Sequence, residues 1–507
     1  MSEKTTLRYG LLCMALLILL GGWVYSIDDN PETPATPVTS ATLSADADSQ
    51  PAQEAASGLA TLDELDGTAP ARRNLDIQSW TTAEGARVLF VAAPQLPMFD
   101  LRLTFAAGSS RDGQTPGLAL LTNAMLNEGV PGKDVTAIAE GFENLGADFG
   151  NGAYRDMAVV SLRSLSAEPQ REAAIALLTE VIGQPQFPAD SLARIKNQLL
   201  ASFEQQKQNP AKLGNLALFG KLYGAHPYAH PSEGTAASIP GISAEQLQAF
   251  HQRAYAAGNT VIALVGDLTR EQAEALVGKV SAALPAGPAL PPTVEPDAPA
   301  SGLSHLEFPS NQTHLLLASL GIDRRDPDYA ALYLGNQVFG GGGFGSRLMS
   351  EVREKRGLTY GVYSGFSPMQ AKGPFSISLQ TRADQSQGTL ELVQRLLREF
   401  LQEGPSAQEL DDAKRELAGS FPLSTASNAD IVGQLGSIGF YDLPLSWLED
   451  FVEQVQALSA EQVQAAMNRH LNADALVIVT VGPTVEQKPL PAPGEQPVAP
   501  RNAVPEH

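Results

Sequence analysis

Cysteine is almost missing from this sequence: Cys13 is the only one among 507 residues. A single cysteine excludes an internal disulfide framework and a cysteine-ligated zinc site, and Cys13 lies inside an apolar run rather than in the body of the chain. That body therefore needs no thiol chemistry and tolerates an oxidising compartment. Positive charge is scarce as well. Lys and Arg number 34 against 56 Asp and Glu, a formal charge of −22, and no basic stripe is present. A protein that tracks nucleic-acid phosphates needs such a stripe, so the balance disfavours that class. No Gly-x-Ser-x-Gly elbow occurs either, which leaves a serine nucleophile without its usual support.

What is present begins at the N-terminus. Lys4 and Arg8 precede an apolar run from Tyr9 to Ile27, and 27 − 9 + 1 gives 19 residues. As a helix, that length crosses a hydrocarbon layer of roughly 30 Å. Small-x-small cleavage signals occur only beyond a polar, Pro-bearing stretch, so residues 1–27 are expected to be an uncleaved signal anchor with the positive end in the cytoplasm. Residues 28–72 are rich in Pro, Ala, Thr, Ser and acid, and are expected to be a disordered linker with a typical span of roughly 35–40 Å. A second composition break, Leu284 to Gly302, separates halves at 73–284 and 303–484, with 285–302 as the connection. The Pro-rich tail, 485–507, is expected to be disordered.

The halves resemble each other. "SAEQLQAFHQRAYAAGNTVIALVG" from Ser243 aligns without a gap on "SAEQVQAAMNRHLNADALVIVTVG" from Ser459, an offset of 459 − 243 = 216, with 12 of 24 positions identical. Both read as a Ser-capped helix, a short loop and a buried strand, and the pair marks a duplication. Strand patterns such as "RVLFVAA", "FDLRLTFAAG", "DMAVVSLRSL", "HLLLASLG" and "GPFSISLQTR" lie between long helical patterns, "PADSLARIKNQLLASFEQQKQ" and "QGTLELVQRLLREFLQEG" among them. The expected class is α+β, two duplicated halves of mixed sheet plus helices.

Two stretches invite a chemical reading. "TPGLALLTNAMLNEG", Thr115 to Gly129, predicts a helix with Thr115 as N-cap, Pro116 at the first position and Gly129 closing it. Leu118, Leu121 and Met125 share its apolar stripe, with Leu126 beside it. "GGGGFGSRLMSEVREKRGLTYGVYSGFSP", Gly340 to Pro368, matches no phosphate-binding fingerprint. It predicts a helix capped by Ser346, carrying Arg353 and ended by Gly357, followed by a strand starting with Leu358, Thr359 and Tyr360. The plain reading pairs Arg353 with Glu351 or Glu354 and puts Tyr360 half in the core. His226 and His230 have ligand-like spacing, but Pro227 and Pro231 follow them and argue for a turn. His305, His314 and His470 are isolated in sequence and read as strand or surface residues.

Taken together, the duplicated halves, the 117–129 segment and the Arg/Tyr segment resemble the pitrilysin/insulinase family of zinc metallopeptidases over roughly residues 75–484. The resemblance implies a clamshell-like fold. Active members carry G-L-A-H-x-x-E-H-M-L-x-x-G. This chain matches at Gly117, Leu118, Ala119, Met125, Leu126 and Gly129 but has Leu120 and Ala124 for the two zinc-binding histidines and Asn123 for the general-base glutamate. On a helix, i and i+4 share a face and two histidines there can pinch one Zn²⁺. Leu120 and Ala124 offer no lone pair, and Asn123 cannot act as a base at neutral pH. The family's third ligand lies some 75–80 residues downstream, where Glu204 is the only acid and cannot hold zinc alone. No zinc or other cofactor is expected in this chain. The family's HPY segment, here from His226, is structural.

"REKRGLTY" keeps the family's Arg/Tyr pair as Arg353 and Tyr360, which the resemblance makes donors to bound peptide and to the developing oxyanion. Some members work as two chains, one with the zinc motif and one with this pair. The resemblance thus implies a catalytically incomplete subunit without autonomous activity, pairing with a zinc-bearing sister chain and peptide substrates. It is expected to be anchored in a bacterial inner membrane with a periplasmic body, or free in the periplasm if the N-terminal segment is cleaved. The alternative is a non-catalytic peptide-binding or scaffold protein of a membrane-associated complex.

Overall fold

The computed structural model describes residues 75–494. The expected signal anchor at 1–27, the linker at 28–72 and the last residues of the tail lie outside the described residues. None of the helices in the described residues is long and apolar enough to cross a membrane.

The N-terminal half contributes β1 (Gln78–Thr81), β2 (Arg87–Ala92), β3 (Met98–Phe105), the two-residue strands β4 (Gly129–Val130) and β5 (Lys133–Asp134), β6 (Asp148–Ala153), β7 (Ala158–Leu165) and β8 (Thr260–Gly266). β4 and β5 pair only with each other; the remaining six form one sheet in the order β1-β2-β8-β3-β7-β6. The C-terminal half contributes β9 (Gly302–Glu307), β10 (Gln312–Leu320), β11 (Val362–Phe366), β12 (Pro374–Arg382) and β13 (Val477–Gly482), in the order β11-β12-β10-β13-β9. Apart from the extra β1, the two orders are the same. In each sheet the last strand enters centrally, parallel to one neighbour and antiparallel to the other. The α+β class and the duplication read from sequence are what the chain adopts. Both repeated helices, Ala244–Ala254 and Ala460–His470, start on a complete capping box, Ser243 with Gln246 and Ser459 with Gln462.

Val88 to Val91 of β2 and Thr480 to Gly482 with the rest of β13 are buried on both faces of their sheets. Alternation is lost because each sheet is sandwiched between two helical layers. One layer is local. The other is exchanged between the halves. Helix Pro210–Tyr223 of the N-terminal half lies on β10 and β13, where Leu218 and Leu222 pack with Leu316, Val479 and Val481. Helix Asn428–Phe440 of the C-terminal half lies on β2, β3 and β8, where Ile431, Leu435 and Ile438 pack with Leu89, Val91 and Val265. Contact is closest at glycines. A methyl group at Gly439 would stand 2.3 Å from Val261 Cγ1, and one at Gly214 2.5 Å from Leu316 Cδ1. Each half therefore completes the other's hydrophobic sandwich.

The start of the tail differs from the expectation of disorder. Residues 484–494 have no regular secondary structure but are seated on the C-terminal half by backbone and side-chain hydrogen bonds. Polar partners some hundred residues upstream hold what its Pro-rich composition marked as free.

Candidate functional site

The helix expected from Thr115 to Gly129 is shorter, Leu118–Ala124. Thr115 does not cap it. Asp112 does, accepting from the amides of Gly117 at 2.8 Å and Ala119 at 2.7 Å. The helix stops early because Gly129 and Val130 are drawn into the β4–β5 pair and Asn151 of β6 donates to the carbonyl of Asn123 at 2.7 Å. Leu118, Leu121, Met125 and Leu126 are buried in the N-terminal core, as the apolar stripe predicts.

Asp112 is buried, and burial pushes its carboxyl up to about 7 against the pull of the two amides. The folded state thus holds this proton more tightly than the unfolded chain, whose value is 3.8. The group's contribution to stability is greatest below about pH 4 and is lost as pH rises through about 7. Asp100 and Asp156, also raised by burial, act in the same direction. Urea midpoints of the native chain are expected to fall between about pH 5 and about pH 8, and Asp112→Asn to flatten part of that fall. Equal pH dependence in both proteins would remove Asp112 from the account.

Leu120 and Ala124, one turn apart, are half-exposed on the outer side of this helix, so the face where ligands would stand is hydrocarbon. Asn123 is buried. Its Nδ2 donates to Tyr255 Oη at 3.1 Å and to the carbonyl of Val159 at 3.3 Å. The residue at the general-base position has become a core hydrogen-bonding group. Glu204 sits exposed on helix Ala189–Gln206 and pairs with Lys207 at 2.7 Å. These residues do not fit a zinc ion.

The histidines are used otherwise. His226 Nδ1 accepts from the amide of Tyr228 at 3.1 Å, so Nε2 carries the proton and donates to the Val294 carbonyl at 2.8 Å. His230 meets the Pro231 carbonyl through Nδ1 at 3.3 Å, and burial lowers its pKa. His305 bonds Thr480 and Glu307 on neighbouring strand positions. His314 lies on β10, its pKa lowered by burial. Among the described residues one group with metal-ligating potential lies together, Asp326, Asp328 and His470. Arg469 forks both oxygens of Asp328, at 2.6 and 2.9 Å, and His470 Nε2 is 2.9 Å from Oδ2. The cluster is charge-satisfied and ties the end of helix Ala460–His470 to the start of helix Tyr329–Asn336.

Arg353 lies in a π-helical segment, Met349–Glu354, where Lys355 donates to the Ser350 carbonyl five residues back at 2.9 Å. Such widened turns concentrate at functional sites. Ser346 caps this segment as expected, accepting from the Met349 amide at 3.4 Å, and Gly357 ends it with φ +61°. Val352 and Leu358 anchor the turn in the C-terminal core. The plain reading holds neither for Glu351 nor for Tyr360. Glu351 spends its oxygens on Lys355 at 2.5 Å and Arg356 at 2.7 Å, and Tyr360 is 82% exposed. The strand also begins later than expected, at Val362, so Tyr360 stands outside the ladder.

The guanidinium of Arg353 lies over the ring of Phe344, 4.6 Å from its centroid. This contact is worth about 0.5–1 kcal/mol at an exposed site, and it orients the guanidinium. Phe344 was missed in the sequence reading; an aromatic standing within the glycine run was its signal. The Leu118–Ala124 helix is rooted in the N-terminal core and the Arg353 turn in the C-terminal core.

Fold and site define a peptidase-fold chain whose Leu118–Ala124 helix offers no zinc ligands and which presents an arginine–tyrosine pair. Comparison with known proteins agrees. Residues 87–236 match the insulinase (peptidase family M16) description, and residues 241–417 match the peptidase M16 inactive domain. A crystal structure described as a peptidase M16 inactive domain, from Pseudomonas fluorescens, is 70% identical, covers 82% of this chain and 100% of its own, and superposes with a TM-score of 0.81. A Helicobacter pylori protein named non-peptidase homolog YmxG is 28% identical over 76% of this chain and 89% of its own length. A crystal structure of a protease from Helicobacter pylori shares the fold at TM-score 0.75 with 16% identity. The chain belongs to the M16 insulinase family and is a catalytically incomplete homologue within it.

Proposed function

We propose that this chain is the non-zinc subunit of a two-chain peptidase, supplying Arg353 and Tyr360 in trans to peptide held at a sister chain's zinc centre. One observation carries the reading: the zinc face of the Leu118–Ala124 helix is hydrocarbon while the Arg353–Tyr360 turn remains presented, Tyr360 at 82% exposure and Arg353 propped on Phe344. A guanidinium and a phenol are both strong donors, suited to a peptide carbonyl on which negative charge builds. The apolar run Tyr9–Ile27 supports an inner-membrane tether with a periplasmic body.

The experiment mixes the purified chain with an M16 protein from the same organism that carries an intact H-x-x-E-H, and follows cleavage of unstructured peptides. Neither stoichiometric zinc nor cleavage is expected from this chain alone, and a higher rate than the sister chain's own is expected on mixing. A rate on mixing equal to that of the sister chain alone favours the scaffold alternative.

A further inference from the structure

The end of the described chain reaches the Arg353–Tyr360 turn. After β13, Thr484 is fixed by its amide and hydroxyl to Glu307, at 3.1 and 2.7 Å. Gln487 accepts from the amide of Gln387 at 3.0 Å and donates to the Ala383 carbonyl at 2.9 Å. The Lys488 amide meets the Asp384 carbonyl at 2.7 Å while its ammonium pairs with the same residue's carboxylate at 2.8 Å. Leu490 packs against the C-terminal core over Gly388, where an added methyl would stand 2.9 Å from Leu490 Cγ. Gly494 then donates its amide to the carbonyl of Lys355 at 2.7 Å.

Lys355 immediately follows the π-helical segment that carries Arg353. Carbonyls at the end of a helix have no partner within it. Here the amide of Leu358 takes the Val352 carbonyl at 3.0 Å, the amide of Gly357 takes Arg353 at 2.7 Å, and Gly494 takes Lys355. Between this turn and β11 the chain has no ladder; Thr381 Oγ1 holds the Leu358 carbonyl and Thr359 Oγ1 the Gly361 carbonyl, both at 2.7 Å. The direction of Tyr360 therefore depends on how firmly the turn before it is closed.

We infer that residues 484–494 are a strap that positions the Arg353–Tyr360 turn, with Leu490 as its anchor and Gly494 as the contact that closes the turn. The functional meaning rests on the trans-donor reading above; the mechanical claim does not. Leu490 and Gly494 are positioning residues and touch no substrate.

The test is amide hydrogen exchange of the full chain alone, comparing wild type with Leu490→Asp, with Gly494→Pro and with a chain ending at Thr484. Gly494→Pro removes the donated N–H and sets a ring carbon against the Lys355 carbonyl, four residues beyond Leu490. Amides from 353 to 361 are expected to exchange at least tenfold faster in Leu490→Asp and in the shortened chain, and severalfold faster in Gly494→Pro. Amides of β3 and of 393–401 are expected to keep their rates. Adding a synthetic 484–494 peptide to the shortened chain is expected to restore protection. Unchanged exchange at 353–361 in Gly494→Pro and in the shortened chain overturns the strap. In the mixed peptidase assay the variants are expected to lower kcat severalfold with KM and affinity for the sister chain unchanged. If exchange changes as expected but the wild-type mixture gains no activity, the strap stands and the trans-donor reading falls.

Discussion

Tyr228→Phe is expected to lower the unfolding free energy by about 2–4 kcal/mol, a large effect for the loss of one oxygen. Tyr228 is fully buried, and its hydroxyl donates to Asp156 Oδ1 at 2.5 Å while accepting from the Ala371 amide at 3.2 Å. Asp156, itself buried, takes the Gln370 amide on its other oxygen at 2.7 Å. Arg155 holds the same corner, donating to the carbonyls of Tyr228 and His230 at 2.6 and 3.1 Å with its guanidinium 4.2 Å above Phe219. Phenylalanine keeps the packing but strips a carboxylate oxygen and an amide of their shared partner, each costing about 1–3 kcal/mol when buried. Because Asp156 and Tyr228 belong to one half and Gln370 and Ala371 to the other, the loss falls on the joint between them. Chemical denaturation followed by far-UV dichroism and by tryptophan fluorescence checks this: the midpoint should fall, and the two probes should begin to diverge. A shift below about 0.5 kcal/mol would show that the hydroxyl is dispensable.

That joint shows where sequence reading stops. Period and capping identified the repeated helix–strand unit at both ends of the 216-residue offset, because those signals are local. That the Leu118–Ala124 helix carries no zinc ligands was equally legible, since no fold makes ligands of Leu120 and Ala124. What escaped depends on partners distant in the chain. The apolar stripe of Asn428–Phe440 says that one face is buried but not that it covers the other half's sheet. Thr115 carried the right chemistry for a cap, yet a carboxylate three residues earlier reached the same amides first. The tail looked disordered because Gln487 and Leu490 find their partners at Gln387 and Gly388, which composition cannot reveal. Arg353 and Tyr360 were marked by the resemblance of "REKRGLTY" to the family's Arg/Tyr segment; their exposure, and the Phe344 ring that props the guanidinium, needed the fold.

Within the mixed complex, Arg353→Ala and Tyr360→Phe are each expected to lower turnover at least about tenfold, with about 10²–10³ the range for removing a donor that meets an oxyanion. The change should fall on kcat if the donors act as charge builds, and on KM if they only grip the bound peptide. Arg353→Lys keeps the charge but loses the planar fork that stacks on Phe344, so it should recover little of the loss. Folding cannot account for the Tyr360 result. With 82% of its surface exposed and its hydroxyl outside the strand ladder, Tyr360→Phe should leave stability within about 0.5 kcal/mol of wild type. Turnover unchanged in both Arg353→Ala and Tyr360→Phe would mean that the presented pair is a remnant. The chain would then serve its complex by shape alone, as a scaffold whose two halves hold each other's sheets closed.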